Sequence, residues 1–449
     1  MQDTLKKNDE LEVVIDRLGV NGEGIATFNG KVIFVPFALV GEKVKIHIIN
    51  DKNSFLVAKL LEVIEPSKDR CSAICPYFSK CGGCDIQHLK YEKQLLFKKN
   101  LVKDTILKYA KLDVEVNDTV SSDREFRYRN KFAFPVQSVG GEIKIGMYRK
   151  NSHSIIEIDD CMLQSDKTKT ILEIFKIYMI ENKISAYDEK TKKGIVKHIV
   201  VRENKDDFIL TVVVTSEKFS NFNPLIEKLK AKFDKFGIVK NVNKLGNNVI
   251  FGNLDTYIYG LKELNMTELG INYSVNNRSF LQVNDDIKTK IYTKILELAN
   301  GSKKIIDAYS GAGLLSSIMA KSGSKVIGVE IIEEATKNAE NLKKLNKLDN
   351  LTNLNGDCAK IIPELISREK EDFTVVIDPP RKGIDKSVID ALNLSKPKKI
   401  IYLSCNPATL ARDLGYLSEN YDVNFVQPYD MFPQTANVET LVELRLKEI

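Results

Sequence analysis

Cys405 closes an apolar run, Lys399 to Leu403, and is flanked by Ser404, Asn406 and Pro407. A branched and aromatic run ended by small polar residues and a proline reads as a buried strand whose last residue tips into a pocket. A thiolate placed there is a candidate nucleophile. Alone, a strand-end cysteine packs as readily as it reacts, because cysteine is among the most buried residue types. Two further strand endings shift that balance. Asp378 follows the apolar run Phe373 to Ile377 and precedes Pro379 and Pro380, which exclude continuation of strand or helix. Lys304 to Asp307 runs into Ala308-Tyr309-Ser310-Gly311-Ala312-Gly313, another strand feeding a glycine-rich turn. Ligands of an open parallel sheet sit beyond the carboxyl ends of its strands, so the three endings describe one crevice.

A second constellation is rich in sulfur. Four of the seven cysteines, Cys71, Cys75, Cys81 and Cys84, lie close together, and Cys161 follows Ile158-Asp159-Asp160. In a reducing compartment such crowding argues for a metal or cluster rather than disulfides. Soft thiolates select zinc or an iron-sulfur cluster, and the spacing leaves both open. Five thiols for four positions leave one surplus. Gly82 and Gly83 let the backbone wrap tightly around such a centre. The histidines read as structural or surface residues, His88 included, since the thiols already suffice.

These groups need elements to hold them. The first 60 residues read as short strands punctuated by Gly19, Gly22 and Gly24, which predicts a small barrel of the oligonucleotide-binding kind. Phe28, Phe34, Phe37 and Phe55 are its candidate base-stacking residues, at least two of them better placed in its core. A lysine-rich amphipathic helix is predicted from Tyr91 to Ala110. Arg124 to Phe132 interleaves Arg124, Arg127, Arg129 and Lys131 with Phe126, Tyr128 and Phe132, a basic strand suited to phosphates and stacked bases. Residues 165 to 270 read as mixed α and β, with a helix from Asn223 to Phe236. From about 285 onward strand and helix alternate, with Glu330 ending one strand and Asn355-Gly356-Asp357 following another. Glu330 suits ribose hydroxyls. Gly311 and Gly313 lack the third glycine of a dinucleotide fingerprint.

With 67 Lys and Arg against 61 Asp and Glu in 449 residues, the formal charge of +6 permits a nucleic-acid partner without requiring one. No apolar run approaches the ~20 residues that span a bilayer, and the polar N-terminus is unlike a secretory leader. A cytoplasmic protein with no membrane partner is expected.

End to end, the chain resembles the iron-sulfur-containing RNA uracil-5-methyltransferases that act on 23S ribosomal RNA. The motifs that carry the likeness are Cys75-x5-Cys81-x2-Cys84 with distant Cys161, the run Ser279 to Asn284, Asp307 to Gly313, Asp378-Pro379-Pro380-Arg381, Ser404 to Asp413, and Asp430 to Glu439. The resemblance implies an α/β fold: a class I, Rossmann-like S-adenosylmethionine-dependent methyltransferase domain with an N-terminal OB-like barrel (TRAM) and a central α+β iron-sulfur domain. It implies boundaries of 1–64 for the barrel, 65–90 with 111–270 for the central domain, and 91–110 with 271–449 for the methyltransferase. It makes Cys405 the nucleophile, Glu439 the base and Asp378 their partner. Gln282, Asp307, Tyr309, Gly311, Gly313, Glu330, Asp357 and Asp378 would bind the methyl donor, and Cys75, Cys81, Cys84 and Cys161 a four-iron four-sulfur cluster, leaving Cys71 over. Gln434 stands where the family often has histidine. The implied partner is 23S ribosomal RNA and the implied state a monomer. The alternatives are a uracil-5-methyltransferase of transfer RNA and a non-catalytic RNA-binding or assembly protein.

Overall fold

The computed structural model describes residues 5–52, 54–369 and 372–448. The C-terminal sheet has seven strands in the order Leu351–Asn355, Lys325–Glu330, Lys304–Ala308, Thr374–Ile377, Lys399–Ser404, Glu439–Leu446 and Tyr421–Tyr429. The first five run parallel and Glu439–Leu446 is antiparallel to its neighbours. The central strands are apolar almost throughout, as sheets covered on both faces must be; Thr374–Ile377 is buried at every position. Strand order reverses between Lys304–Ala308 and Thr374–Ile377, so the crevice that open α/β sheets use for ligands opens above Asp307 and Asp378.

The helix Tyr91–Ala110 comes before all of these strands in the chain but packs among them. Val102 and Ile106 are fully buried in one core with Leu410 and Leu414 of the helix Pro407–Leu417. The hairpin of Leu264–Glu268 and Ile271–Val275 likewise joins the core of the helix Asp285–Ala299 through Leu264, Ile271 and Val275. The boundary expected at 270 thus falls in the turn of a hairpin whose two strands pack together into the catalytic core.

A second seven-stranded sheet forms the middle of the chain, in the order Leu254–Gly260, Phe236–Val242, Asp207–Val214, Val196–Asn204, Lys131–Val139, Glu142–Tyr148 and Ile155–Glu157. The helices Lys167–Glu181 and Asn223–Lys230 bury Phe175, Tyr178, Leu225 and Leu229 in its core. Two expectations change here. The helix from Asn223 ends at Lys230, because Phe236 pairs with Phe208 and opens a strand instead. The basic strand predicted from Arg124 starts only at Lys131. Arg127 has a φ of 56°, outside any strand geometry. Its guanidinium forks onto Asp160 at 2.8 and 2.6 Å and lies 3.0 Å from Asp166. Arg127 therefore pins the Asp159–Cys161 turn, and a phosphate would have to compete with two carboxylates for it.

The N-terminal unit is a six-stranded sheet ordered Glu10–Val14, Lys43–Lys52, Phe55–Glu65, Lys31–Val35, Gly24–Phe28 and Arg17–Leu18. Val44, Ile46 and Ile48 alternate inward against Ile33, Val35 and Leu56. Phe34 and Phe55 are half-buried edge-to-face partners, 5.3 Å between centroids, while Phe37 meets Phe78 of the cysteine loop at the same distance. Among the described residues no helix is long and apolar enough to cross a membrane.

Candidate active site

Two antiparallel strands bring the proposed nucleophile and base together. Ser404 pairs with Thr440 at the end of the ladder, so Cys405 and Glu439 are the next residues beyond that pair, one on each strand. On the other flank Ile377 pairs with Tyr402, which leaves Asp378 at the mouth beside them. Asn406 ends the strand and caps the helix Pro407–Leu417: its Oδ1 accepts from the Ala408 amide at 3.1 Å and its Nδ2 donates to the Arg381 carbonyl at 3.1 Å. Proline at the first turn fits a cap of this kind. Cys405 consequently stands just before a helix N-terminus, where the dipole favours a thiolate.

Electrostatics here are finely opposed. Burial, then the charges of Glu439 and Asp378, push the Cys405 thiol up to about 11, while Arg381 pulls it down. Glu439, 4 % exposed, is raised well above the usual carboxylate range by burial first and Asp378 second, again against Arg381. Asp378 is raised to about 7 by burial of its carboxyl. Three acids thus share a mouth in which they cannot all ionise cheaply, with one cation beside them. Arg381 is a contributor that sequence reasoning passed over. It appears in the Asp378-Pro379-Pro380-Arg381 run, but only the fold shows that an exposed side chain there faces both Cys405 and Glu439.

Of the residues expected to bind the donor, all but Gln282 gather at or just beyond the ends of the first four strands. Asp307 is 1 % exposed, accepts from the Ser316 hydroxyl, and is raised to about 7 mainly by burial. The turn above it needs left-handed backbone: Tyr309, Gly311 and Gly313 have φ of 64°, 56° and 78°. A Cβ on Gly313 would lie 2.6 Å from that of Ala339, so this glycine lets two helices approach; one on Gly311 would meet nothing within 4 Å, so that face of the turn is open. Glu330 ties the turn to the second strand, with Oε2 accepting from the Gly311 amide at 3.0 Å and Oε1 from the Ile332 amide at 2.8 Å. Each oxygen retains a lone pair for a hydroxyl. Asp357 caps the helix Cys358–Ser367 through the Ala359 amide at 2.9 Å. The Tyr309 hydroxyl is 3.2 Å from Asp385 Oδ2. Gln282 is half-buried two residues before Asn284, the cap of the helix Asp285–Ala299, and its carbonyl accepts from Asn130 Nδ2 at 2.9 Å.

The sulfur constellation forms a separate place. Cys75, Cys81, Cys84 and Cys161 line one cavity of about 280 Å³, together with Phe132 and Met147. Cys71 lines a different cavity, beside Phe37, Arg70 and His88, and its thiol lies 3.5 Å from the Gln87 carbonyl. Two of the four sulfurs accept hydrogen bonds, Cys81 from the Gly83 amide and Cys84 from Gln87 Nε2, both at 3.4 Å. Among the described residues no three Cys, His, Asp or Glu side chains meet closely enough to hold a single metal ion.

Comparison with known proteins places this geometry. Residues 90–447 match the family described as tRNA (Uracil-5-)-methyltransferase, and residues 5–61 match the TRAM domain. An uncharacterized RNA methyltransferase of Clostridium acetobutylicum is 39% identical over 98% of both chains. One from Halalkalibacterium halodurans is 37% identical over 99% of both. The solved structure of the Pyrococcus abyssi tRNA (uracil-54, C5)-methyltransferase in complex with S-adenosyl-L-homocysteine superposes with a TM-score of 0.80 at 27% identity, over 97% of this chain and all of that one.

Proposed function

The chain belongs to the tRNA (uracil-5-)-methyltransferase family, and from that premise we propose that this S-adenosylmethionine-dependent RNA uracil-5-methyltransferase modifies uridine of 23S ribosomal RNA in the cytoplasm. The observation that carries the chemistry is the placing of Cys405 and Glu439 as the next residues beyond the Ser404–Thr440 pair, with Asp378 alongside. The likeness of the cysteine and catalytic motifs to the ribosomal RNA enzymes supports that substrate. The Pyrococcus abyssi enzyme, named for uracil-54 of tRNA, covers the same architecture including the barrel, and keeps transfer RNA as the second reading.

Uracil C5 is a weak carbon nucleophile. Addition of the Cys405 thiolate at C6 makes it enolate-like, and the helix N-terminus with Arg381 favours the thiolate that must form. When bound, S-adenosylmethionine supplies an electrophilic methyl group to C5. The Glu439 carboxylate then takes the proton from C5, the C6–Sγ bond breaks, and its electron pair returns to sulfur. A pKa raised above the ordinary carboxylate range suits a base that must hold the proton it takes. Asp378 orients the uracil edge from the shared mouth. The open face of Gly311, the free lone pairs of Glu330 and the position of Asp307 at the strand-order reversal fit the donor, with Gln282, Tyr309, Gly313 and Asp357 completing its surroundings.

For the four thiols, support comes from their lining one cavity while, among the described residues, no three of them meet closely enough for a single metal ion; each cysteine of a four-iron cluster binds a different iron. Cys75, Cys81, Cys84 and Cys161 would hold that cluster, and the N–H groups on Cys81 and Cys84 suit cluster thiolates. Methyl transfer and elimination are redox-neutral, so the reaction asks no electron of such a group, and a structural or RNA-positioning part is the economical account.

The test is denaturing electrophoresis after incubation with labelled donor and either a 23S fragment or transfer RNA transcripts. Methylation of uridine C5 in the ribosomal fragment alone is the expected result. Labelling of transfer RNA alone replaces the substrate with the second reading.

A further inference from the structure

The excursion from Asp430 to Val438 leaves and re-enters the catalytic sheet at the Tyr429–Glu439 pair, so whatever moves it acts on Glu439 at its neck. It is held from outside the sheet. Gln434, near its middle, is 2 % exposed and has a φ of 71°, a conformation that side chains other than glycine's rarely adopt. Its carbonyl accepts from the amides of Asp85 and Ile86 at 3.1 and 3.2 Å, the two residues that follow Cys84. Gln94 supplies the other half of the clamp. Its Nε2 donates to Gln434 Oε1 at 2.9 Å, and its Oε1 accepts from the Gln434 amide at 3.1 Å. The same Nε2 is 2.8 Å from the Leu89 carbonyl and 3.2 Å from that of Ile86.

One turn along the helix Tyr91–Ala110, fully buried Lys98 pairs with Asp430 and donates to the Phe432 carbonyl at 3.1 Å. Gln94 and Lys98 therefore stand on one helical face and grip both ends of the first half of the excursion. Further along, Val102 and Ile106 join the core of the helix that begins beside Cys405. One helix thus touches the supports of nucleophile and base, and its N-terminal end is bonded to the end of the cysteine loop. Buried amides that satisfy each other fix distance and direction, which apolar packing does not.

We propose that Gln94 is a positioning residue for Glu439. The Gln94–Gln434 amide pair sets the excursion so that Glu439 meets the C5 proton, and the bonds to Asp85 and Ile86 make that setting depend on the cysteine loop. The inference rests on the covalent mechanism above. In the step concerned, the C5 proton passes to the Glu439 carboxylate as the C6–Sγ bond breaks toward sulfur.

The experiment compares the full-length wild type, Glu439→Gln, Gln94→Met and Gln434→Met with labelled donor and the RNA that the wild type methylates. Gln94→Met keeps the length of the side chain and removes its hydrogen bonds; Gln434→Met spares the backbone bonds to the cysteine loop, and melting curves of both show which variant is compared as a folded protein. Both should lower kcat roughly 10- to 100-fold with KM for RNA unchanged, and should accumulate a methylated covalent adduct, because addition proceeds while elimination is slowed. Amide exchange at Asp85 and Ile86 should quicken in Gln94→Met. A uniform loss of adduct and product would mean a merely structural role and overturn the proposal. So would wild-type turnover with no adduct in either variant while Glu439→Gln does trap one, which leaves the mechanism standing. A wild type that methylates no C5, or a Glu439→Gln enzyme that turns over freely, would overturn the mechanism itself and this inference with it.

Discussion

Cys405 and Cys84 are both partly hidden thiols that burial makes harder to ionise, but they stand in opposite surroundings. Cys405 sits at the end of a strand hydrogen-bonded on both sides, just ahead of a helix N-terminus, with Arg381 in reach. Cys84 sits in a run of turns, and the charges that face it are those of Cys161, Cys81 and Cys75, each of which raises its pKa further. At the first thiol the protein itself supplies a cation and a helix N-terminus that oppose the upward shift from burial, Glu439 and Asp378. To ionise together, the second set would need positive charge brought from outside, because four thiolates around one cavity repel one another. Burial is the largest cause of the upward shift at both thiols, so what separates them is the charges that face each one.

Four substitutions probe that contrast, starting with the strongest. Cys405→Ala should remove both the covalent RNA adduct and methylation, a loss of at least about 10⁴-fold, with donor binding intact in equilibrium dialysis; a surviving labelled adduct would locate the nucleophile elsewhere. Glu439→Gln should still form adduct but slow turnover by about 10²- to 10⁴-fold, so that methylated enzyme-RNA complex builds up on a denaturing gel. Cys84→Ser should lose iron and sulfide and lower the melting temperature by about 5 °C or more, since a bound centre contributes folding free energy directly. Cys71→Ser, in its separate cavity, should keep both. Equal loss from Cys71 and Cys84 would dissolve the distinction between the two cavities, and stoichiometric zinc without sulfide would replace the cluster.

The same contrast governs how far the chain could be read. Strand ends were legible because an apolar run followed by Asp-Pro-Pro, Cys-Asn-Pro or a glycine turn has few structural meanings, and Asp307, Asp378 and Cys405 do lie at adjacent strand ends. The antiparallel pairing that sets Glu439 beside Cys405 is not in the local pattern; only motif likeness pointed to Glu439. Four thiols of one cavity could not be separated from five by spacing, since Cys71 differs only in which side of the loop it faces. Arg124 to Asn130 misled because alternating basic and aromatic residues imitate a strand, whereas the turn is stabilised by Arg127 on Asp160, a partner 33 positions away. Gln94 carried no signal at all. A lone glutamine on a lysine-rich helix looks solvated until its partner 340 positions away is in place.

The smallest effect belongs to the catalytic crevice and tests whether its buried acids carry the protons their surroundings imply. Asp307 is raised to about 7, chiefly by burial, with Asp378 and Glu330 adding to it and the Ser316 hydroxyl opposing it. In the unfolded chain the same carboxyl titrates near ~3.9, so between about pH 4 and pH 7 the folded state holds a proton that the unfolded state has lost. A raised carboxyl contributes its stability fully below the unfolded value, and that contribution drains away as pH rises through the folded one. The slope is at most about 1.4 kcal/mol per pH unit, a few degrees in melting temperature for a chain of this size. Asp307→Asn cannot titrate. Melting curves of the donor-free protein from pH 4.5 to 7.5 should therefore fall less steeply in the variant than in the wild type. Parallel curves would mean that Asp307 is ionised throughout, held by donors stronger than Ser316, and the crevice would then present a charge rather than a proton to the ligand.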